Sequence, residues 1–350
     1  MRLFFLNGLL LMVMATTSTR AESESSPLFA NANRDGDGRF TNPTGDLSHG
    51  SLGVRAAFLL RRFGTYFRSG KDAPDRRPND GAFLRENARH SVPTVTWVGH
   101  ATLLVQMAHV SFLTDPTWSN RPSPVPLIGP SRYVAPGLLM DDLPPIDFVV
   151  ISHNHYDHLD LPTLGALATR NAGTIFYVPL GNAALLRDAG ITNVVELDWG
   201  QTASYAGVTI HCLPAQHWSK RSLTDTHKAL WSSWAVTGPE RKFYFAGDTG
   251  YFAGFAEIGR KLGPFDLAAL PIGAYAPRAM MRESHMNPEE ALLAADDLQA
   301  SQAVGIHFGT FDLSDEPLDE PPRRFKAGTV DAEIDDADAW VLDIGETRRF

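Results

Sequence analysis

The chain has 350 residues, 43% hydrophobic and 10% aromatic, the proportions of a globular enzyme rather than of a disordered or fibrous protein. Its net charge of −9 argues against a nucleic-acid binder that works by general phosphate attraction, and no zinc-finger or RNA-binding pattern offsets it. The charge is uneven: residues 1–90 carry 13 Lys+Arg against 9 Asp+Glu, so a mildly basic front precedes an acidic body.

Residues 1–21, MRLFFLNGLLLMVMATTSTRA, place Arg2 ahead of an apolar run from Leu3 to Ala15, followed by small and polar residues. This is the pattern of a cleaved signal peptide, because about 13 apolar residues fall short of the roughly 20 that cross a bilayer. Cys212 is the only cysteine, so there is no intrachain disulfide and no cysteine near the cleavage site for a lipid anchor. The expectation is export to a periplasm-like space or secretion, with the protein peripheral to a membrane. Residues 22–90 form an N-terminal extension. Its first part, rich in Ser, Asn, Asp and Gly (NANRDGDGRFTNPTGD), has no apolar period and suggests an extended or mobile lead-in. Residues 54–68 then set Leu59, Phe63 and Tyr66/Phe67 at helical spacing, with Arg55, Arg61, Arg62 and Arg68 on other faces. A helix lying on an anionic lipid surface and a helix packed on the domain with its arginines in water both fit this pattern.

From residue 91 to 350 the pattern is that of one domain. TVTWVG, TLLVQM and VSFLTD are three closely spaced β-rich runs, consistent with a meander. DFVVIS follows, then alternation: helix-like LPTLGALATR, strand-like TIFYV, helix-like GNAALLRDAG and strand-like NVVEL. GVTIHCL, LWSSWAV and KFYFAG are consecutive strand patterns. FAEIGRKLG is helical, FDLAALPIG a strand, NPEEALLAADDLQA a capped helix and QAVGIH a strand. Two mixed α/β sheets covered by helices accommodate this order. No fixed-period repeat interrupts it.

The run DFVVIS feeds directly into HNHYDH, which sets His153, His155, Asp157 and His158 within six positions. A loop after a buried strand projects alternate side chains toward a common point, so His153 and His155 can share one ion while Asp157 and His158 turn to a neighbour. One tetrahedral zinc takes four ligands, and four candidates in one loop already suggest two metals. Further candidates end other strand-like runs: His217 in LPAQHW, Asp248 in FAGDTG and His307 in VGIHFG. Singly, each is more often a hydrogen-bonded structural histidine or a turn-forming aspartate; together with the loop they point to a shared site. His100, in WVGHATLL, fits a site contact and a turn equally well. His49, His90, His109, His211 and His227 lack such settings and receive no role.

HNHYDH is the HxHxDH signature of the metallo-β-lactamase superfamily, and within it the chain resembles the N-acylphosphatidylethanolamine-hydrolysing phospholipase D family. The resemblance runs over about residues 94–325, through TWVGHATLLVQM, LPPIDFVVISHNHYDHLD, QHWSKRSLTD, LWSSWAV, FAGDTGY, GPFDLAALPIGAYAPR and AVGIHFGTF. It implies an αββα sandwich with a dinuclear site at one edge. It further implies one zinc on His153, His155 and His217, a second on Asp157, His158 and His307, and Asp248 bridging the two. Tyr156 and His285 match positions that contact substrate, with His285 also assisting catalysis. Ser284 departs from the Gln that precedes this histidine in mammalian members, and RAMM replaces a more aromatic stretch.

The implied reaction is hydrolysis of N-acylphosphatidylethanolamine to N-acylethanolamine and phosphatidic acid, by attack of a metal-bridging hydroxide on phosphorus. The implied partners are a phospholipid substrate and a membrane surface, with no nucleic acid; the sequence leaves homo-oligomerisation open. Two other readings compete: another hydrolase of this fold, such as a lactonase or soluble phosphodiesterase, and a metal-containing lipid-binding protein without turnover.

Overall fold

In the computed structural model of the chain, residues 23–24, 29–65, 73–125 and 129–350 are described. The segment expected to be a signal, residues 1–21, lies outside them. The helix expected over 54–68 appears as Leu52–Thr65, with residues 66–72 outside the description. Among the described residues, no helix is long and apolar enough to cross a membrane.

In chain order the elements are β1 (Ser23–Glu24), α1 (Leu52–Thr65), α2 (Ala82–His90), β2 (Thr94–Gly99), β3 (Thr102–Met107), β4 (Val110–Thr114), β5 (Phe148–Val150), α3 (Leu161–Arg170), β6 (Ile175–Pro179), α4 (Ala183–Asp188) and β7 (Val194–Leu197). The second half supplies β8 (Thr202–Tyr205), β9 (Val208–Leu213), β10 (Ser233–Thr237), β11 (Lys242–Phe245), α5 (Gly254–Leu262), β12 (Leu267–Pro271), α6 (Arg278–Met281), α7 (Pro288–Asp297), β13 (Ala303–Ile306), α8 (Glu320–Gly328), β14 (Ala339–Trp340) and β15 (Thr347–Arg349).

Two sheets result, ordered β15-β2-β3-β4-β5-β6-β7 and β1-β8-β9-β10-β11-β12-β13-β14. In the first, β2, β3 and β4 are antiparallel and β4 to β7 parallel; in the second, β8 to β11 are antiparallel and β11 to β14 parallel. The period-2 alternation of strand side chains explains the layering. Phe112, Phe148, Val150 and Tyr177 join Trp234, Phe243 and Phe245 of the other sheet in one core. Their neighbours Leu113, Val149, Phe176 and Val178 point the opposite way, onto Leu164 and Leu167 of α3 and Leu186 of α4. On the far face of the second sheet, α7 packs against β12, α5 and α8. The architecture is therefore the αββα sandwich expected from the sequence. Strands buried on both faces read as continuous apolar runs, which is why DFVVIS and TIFYV show no polar alternation.

The lead-in, expected to be extended or mobile, is irregular but anchored at two points. Phe40 is 1% exposed and Asn42 5%, both built into the domain. The Asp35 carboxylate accepts from the backbone N–H groups of Asp37 and Arg39, each at 2.9 Å, and Arg34 pairs with Phe40 across the resulting turn. This local hydrogen bonding aims one aromatic inward, and a single buried residue has no period to read. The same reason hid α2, which sinks Leu84 against the first sheet, and β15, a polar edge strand paired with β2.

Candidate metal centre

β2, β4 and β5 run in one direction within the first sheet, and β9, β11 and β13 share a direction in the second. The chain leaves these strands at one edge of the sandwich, where the sequence placed its candidates. HNHYDH follows β5, His217 lies four residues beyond β9, Asp248 three beyond β11, and His307 immediately after β13. Gly247 makes the β11 exit tight enough: at φ +60° a Cβ there would stand 2.4 Å from the Cβ of Ser152, beside His153.

The seven candidates converge. His153 Nε2 and His155 Nδ1 are 2.7 Å apart, and His217 Nε2 is 3.3 Å from the same His155 atom. On the other side His158 Nε2 lies 3.2 Å from His307 Nε2 and 3.3 Å from Asp157 Oδ2. Asp248 stands between the groups, with Oδ2 3.2 Å from His158 Nε2 and 3.8 Å from His217 Nε2, and Oδ1 3.1 Å from His307 Nε2.

Outer partners fix which ring nitrogen faces inward. His217 Nδ1 donates to the Ser284 carbonyl at 2.9 Å. His158 Nδ1 donates to Asp115 Oδ2 at 2.7 Å, and His153 Nδ1 donates to Ser152 Oγ at 2.9 Å, which donates in turn to the same Asp115 oxygen. With those hydrogens directed outward, the Nε2 atoms of His153 and His217 present lone pairs toward His155 Nδ1, and a single proton cannot satisfy three facing nitrogens. Asp248 Oδ1 is buried and, apart from the His307 ring 3.1 Å away, has no hydrogen-bond partner. This donor set, all imidazole and carboxylate, fits cations at two adjacent points.

The electrostatics agree. Burial holds His153 and His217 well below the ordinary histidine value, and holds His155 and His285 at about 4. Burial also opposes charge on His158 and His307, yet the Asp248 and Asp157 carboxylates outweigh it, lifting His158 well above its usual value and His307 to about 9. Asp157 and Asp248 are depressed well below the carboxylate range, burial being overcome by His158 with help from His307 and, at Asp157, from His100. Two buried carboxylates thus draw positive charge to this edge.

His285 sits at the rim, 13% exposed, with Nδ1 3.9 Å from Asp248 Oδ2. Its loop is fixed by Arg278, which donates to the His285 carbonyl and bidentately to Glu290, and by the α7 capping box of Asn287 with Glu290. Tyr156 is half-buried; its hydroxyl donates to the Arg221 carbonyl at 2.8 Å, and the Arg221 guanidinium lies 4.0 Å over its ring. Arg221, which follows Lys220 in HWSKR, braces the loop rather than facing the centre. It donates to the carbonyls of Asn154 and Leu159, bracing the loop from behind.

Sequence reasoning passed over Asp115, although it ends the run VSFLTD and so carries the signal that found Asp248. It also passed over Asn42, whose Oδ1 accepts from the His217 N–H at 2.9 Å. The Ser284 departure acts through the backbone carbonyl, which any residue supplies. His100 does reach the site, with Nε2 2.9 Å from Asp157 Oδ2.

Comparison with known proteins agrees with this geometry. The profile of a family described as "Beta-lactamase superfamily domain" matches residues 111–308. The chain is 43% identical over 263 residues to N-acyl-phosphatidylethanolamine-hydrolyzing phospholipase D 1 of Caenorhabditis elegans, covering 72% of this chain and 74% of the worm protein. It is 35% identical over 251 residues to the mitochondrial N-acyl-phosphatidylethanolamine-hydrolyzing phospholipase D of Saccharomyces cerevisiae, covering 69% of this chain and 53% of the yeast protein. Among solved structures, a metallo hydrolase from Ignicoccus hospitalis superposes with a TM-score of 0.56 at 25% identity, over 74% of this chain and 98% of the other.

Proposed function

Because the chain belongs to the metallo-β-lactamase superfamily and, within it, to the N-acylphosphatidylethanolamine-hydrolysing phospholipase D family, and is a metal-dependent hydrolase, we propose that it is a two-zinc phospholipase D. It cleaves N-acylphosphatidylethanolamine to N-acylethanolamine and phosphatidic acid, at a membrane surface outside the cytoplasm. The observation that carries this reading is the position of Asp248 between a three-histidine cluster and a cluster of Asp157, His158 and His307.

His153, His155 and His217 would hold one ion, Asp157, His158 and His307 the other, and Asp248 would contact both. Two such ions, when bound, would leave the centre net positive toward an anionic phosphodiester, bring the pKa of water near 7 and stabilise charge on attacking and leaving oxygens. The chain's own residues then orient the reaction. Asp115, Ser152 and the Ser284 carbonyl keep the ligand rings facing inward. His285, with a buried Nδ1 lacking a partner, would hydrogen-bond a phosphoryl oxygen at the rim, and Tyr156 would meet the headgroup by exchanging the Arg221 carbonyl for substrate. In the balanced step, the oxygen of water joins phosphorus, the bond to the N-acylethanolamine oxygen breaks, and a proton passes to that oxygen.

The lipid-facing surface is α1. Leu52, Leu59 and Leu60 are 80%, 60% and 74% exposed, while Arg61 and Arg62 pair with Asp315 and Asp312 in the segment after His307. Leucines facing outward beside the site suit an interface of acyl chains and headgroups.

The test incubates metal-loaded protein with N-acylphosphatidylethanolamine, other phospholipids and a lactone, followed by mass spectrometry of the products. N-acylethanolamine with phosphatidic acid is the expected pair. Release of a different product, or turnover of the lactone alone, overturns the substrate; binding of lipid without any product supports the non-catalytic reading instead.

A further inference from the structure

The turn between β2 and β3 places a histidine where Gly or Asn is the usual occupant. His100 has φ +54°, in the left-handed region, and is almost completely buried. Its backbone is held on both sides: the N–H donates to Thr310 Oγ1 at 2.7 Å, and the carbonyl accepts from Trp97 Nε1 at 2.9 Å and from the His307 N–H at 3.1 Å. Its ring centroid lies 4.1 Å from that of His307, the planes tilted by 41°, and its Nε2 reaches Asp157 Oδ2 at 2.9 Å. That same oxygen lies 3.3 Å from His158 Nε2 and 3.6 Å from His307 Nε2.

A carboxylate oxygen only accepts, so His100 Nε2, the ring nitrogen against Asp157, carries the hydrogen and offers no lone pair there, while Nδ1 is buried without a hydrogen-bond partner. The contact His100 makes with the centre therefore runs through Asp157 and His307. No comparable contact joins it to His153, His155 or His217 among the described residues. A sterically disfavoured backbone kept at a site, with its N–H and carbonyl both bonded to hold it there, is the mark of a positional requirement.

We propose that His100 is a positioning residue that orients the Asp157 carboxylate and the His307 backbone together, so that the Asp157–His158–His307 subsite depends on it and the three-histidine subsite does not. This rests on the two-metal reading above.

His100→Asn separates the two roles, because Asn accepts the left-handed turn but is too short to reach Asp157. Metal-free full-length protein is titrated with Zn²⁺ by calorimetry against a competing chelator, alongside circular dichroism of its thermal unfolding. The expected result is a metal-free Asn variant that melts with the wild type, takes up its first ion normally, and binds the second about 10- to 100-fold more weakly. Two ions bound as in the wild type, or equal weakening of both events, overturns the proposal. Should His100→Asn fail to fold, His100→Gln and His100→Leu fill similar space with and without an N–H donor; the Gln variant is expected to hold the second ion more tightly, and equal weakening by both overturns the proposal. A wild type that takes up no ion removes the two-metal reading itself, a distinct outcome.

Discussion

Asn42 tests whether the polar lead-in is part of the metal centre. Its Oδ1 accepts from the backbone N–H of His217 at 2.9 Å and from Trp231 Nε1 at 3.1 Å, in a setting almost closed to water. In Asn42→Ala the Trp231 indole keeps the Ala215 carbonyl at 3.0 Å, so only the His217 N–H is left buried without an acceptor. One such orphaned donor costs about 1–3 kcal/mol. The loss falls on the residue whose ring nitrogen faces His155, so zinc uptake by the three-histidine cluster weakens as well. Urea unfolding of metal-free Asn42→Ala, compared with Asn33→Ala in the exposed part of the same segment, reads the stability; zinc titration reads the site. A midpoint shift for Asn42→Ala no larger than that of Asn33→Ala, expected within about 0.5 kcal/mol of wild type, refutes the coupling of lead-in to site.

Four other outcomes are expected. Asp248→Asn lowers turnover by about three orders of magnitude, since metal stabilisation of transition-state charge is worth several kcal/mol and each 1.36 is tenfold; retained activity in a product assay counts against the shared carboxylate. Arg221→Met removes the guanidinium Nη1 that donates to both the Asn154 and Leu159 carbonyls, and is expected to lose about 2–4 kcal/mol in chemical denaturation, with no loss if the guanidinium is merely solvated. Zinc at about 100 times its dissociation constant stabilises the metal-free protein by about 2.7 kcal/mol, read as a concentration-dependent rise in melting temperature that a chelator reverses. The double variant Leu59→Glu, Leu60→Glu weakens sedimentation with anionic vesicles by at least about tenfold while leaving zinc uptake unchanged; equal vesicle binding moves the lipid surface elsewhere.

The metal loop was legible because its chemistry is local: four ligand-type residues in six positions after an apolar run need no knowledge of what packs where. The strands and the two-sheet class were legible for the same reason, since apolar runs such as DFVVIS and TIFYV report burial on both faces. Asp115 carried the same strand-end signal as Asp248 and was readable in principle. His217, Asp248 and His307 could be nominated from their strand-end settings, but that they meet depends on β9, β11 and β13 ending at the edge where β5 ends, a consequence of sheet order and direction. Tertiary structure alone decided the rest. The Ser284 carbonyl, the Asn42 amide and the His100 ring belong to turns and loops with no periodicity, and each acquires its role only when a distant segment brings a ring, a backbone N–H or a carboxylate within about 3 Å, the range over which hydrogen bonds act.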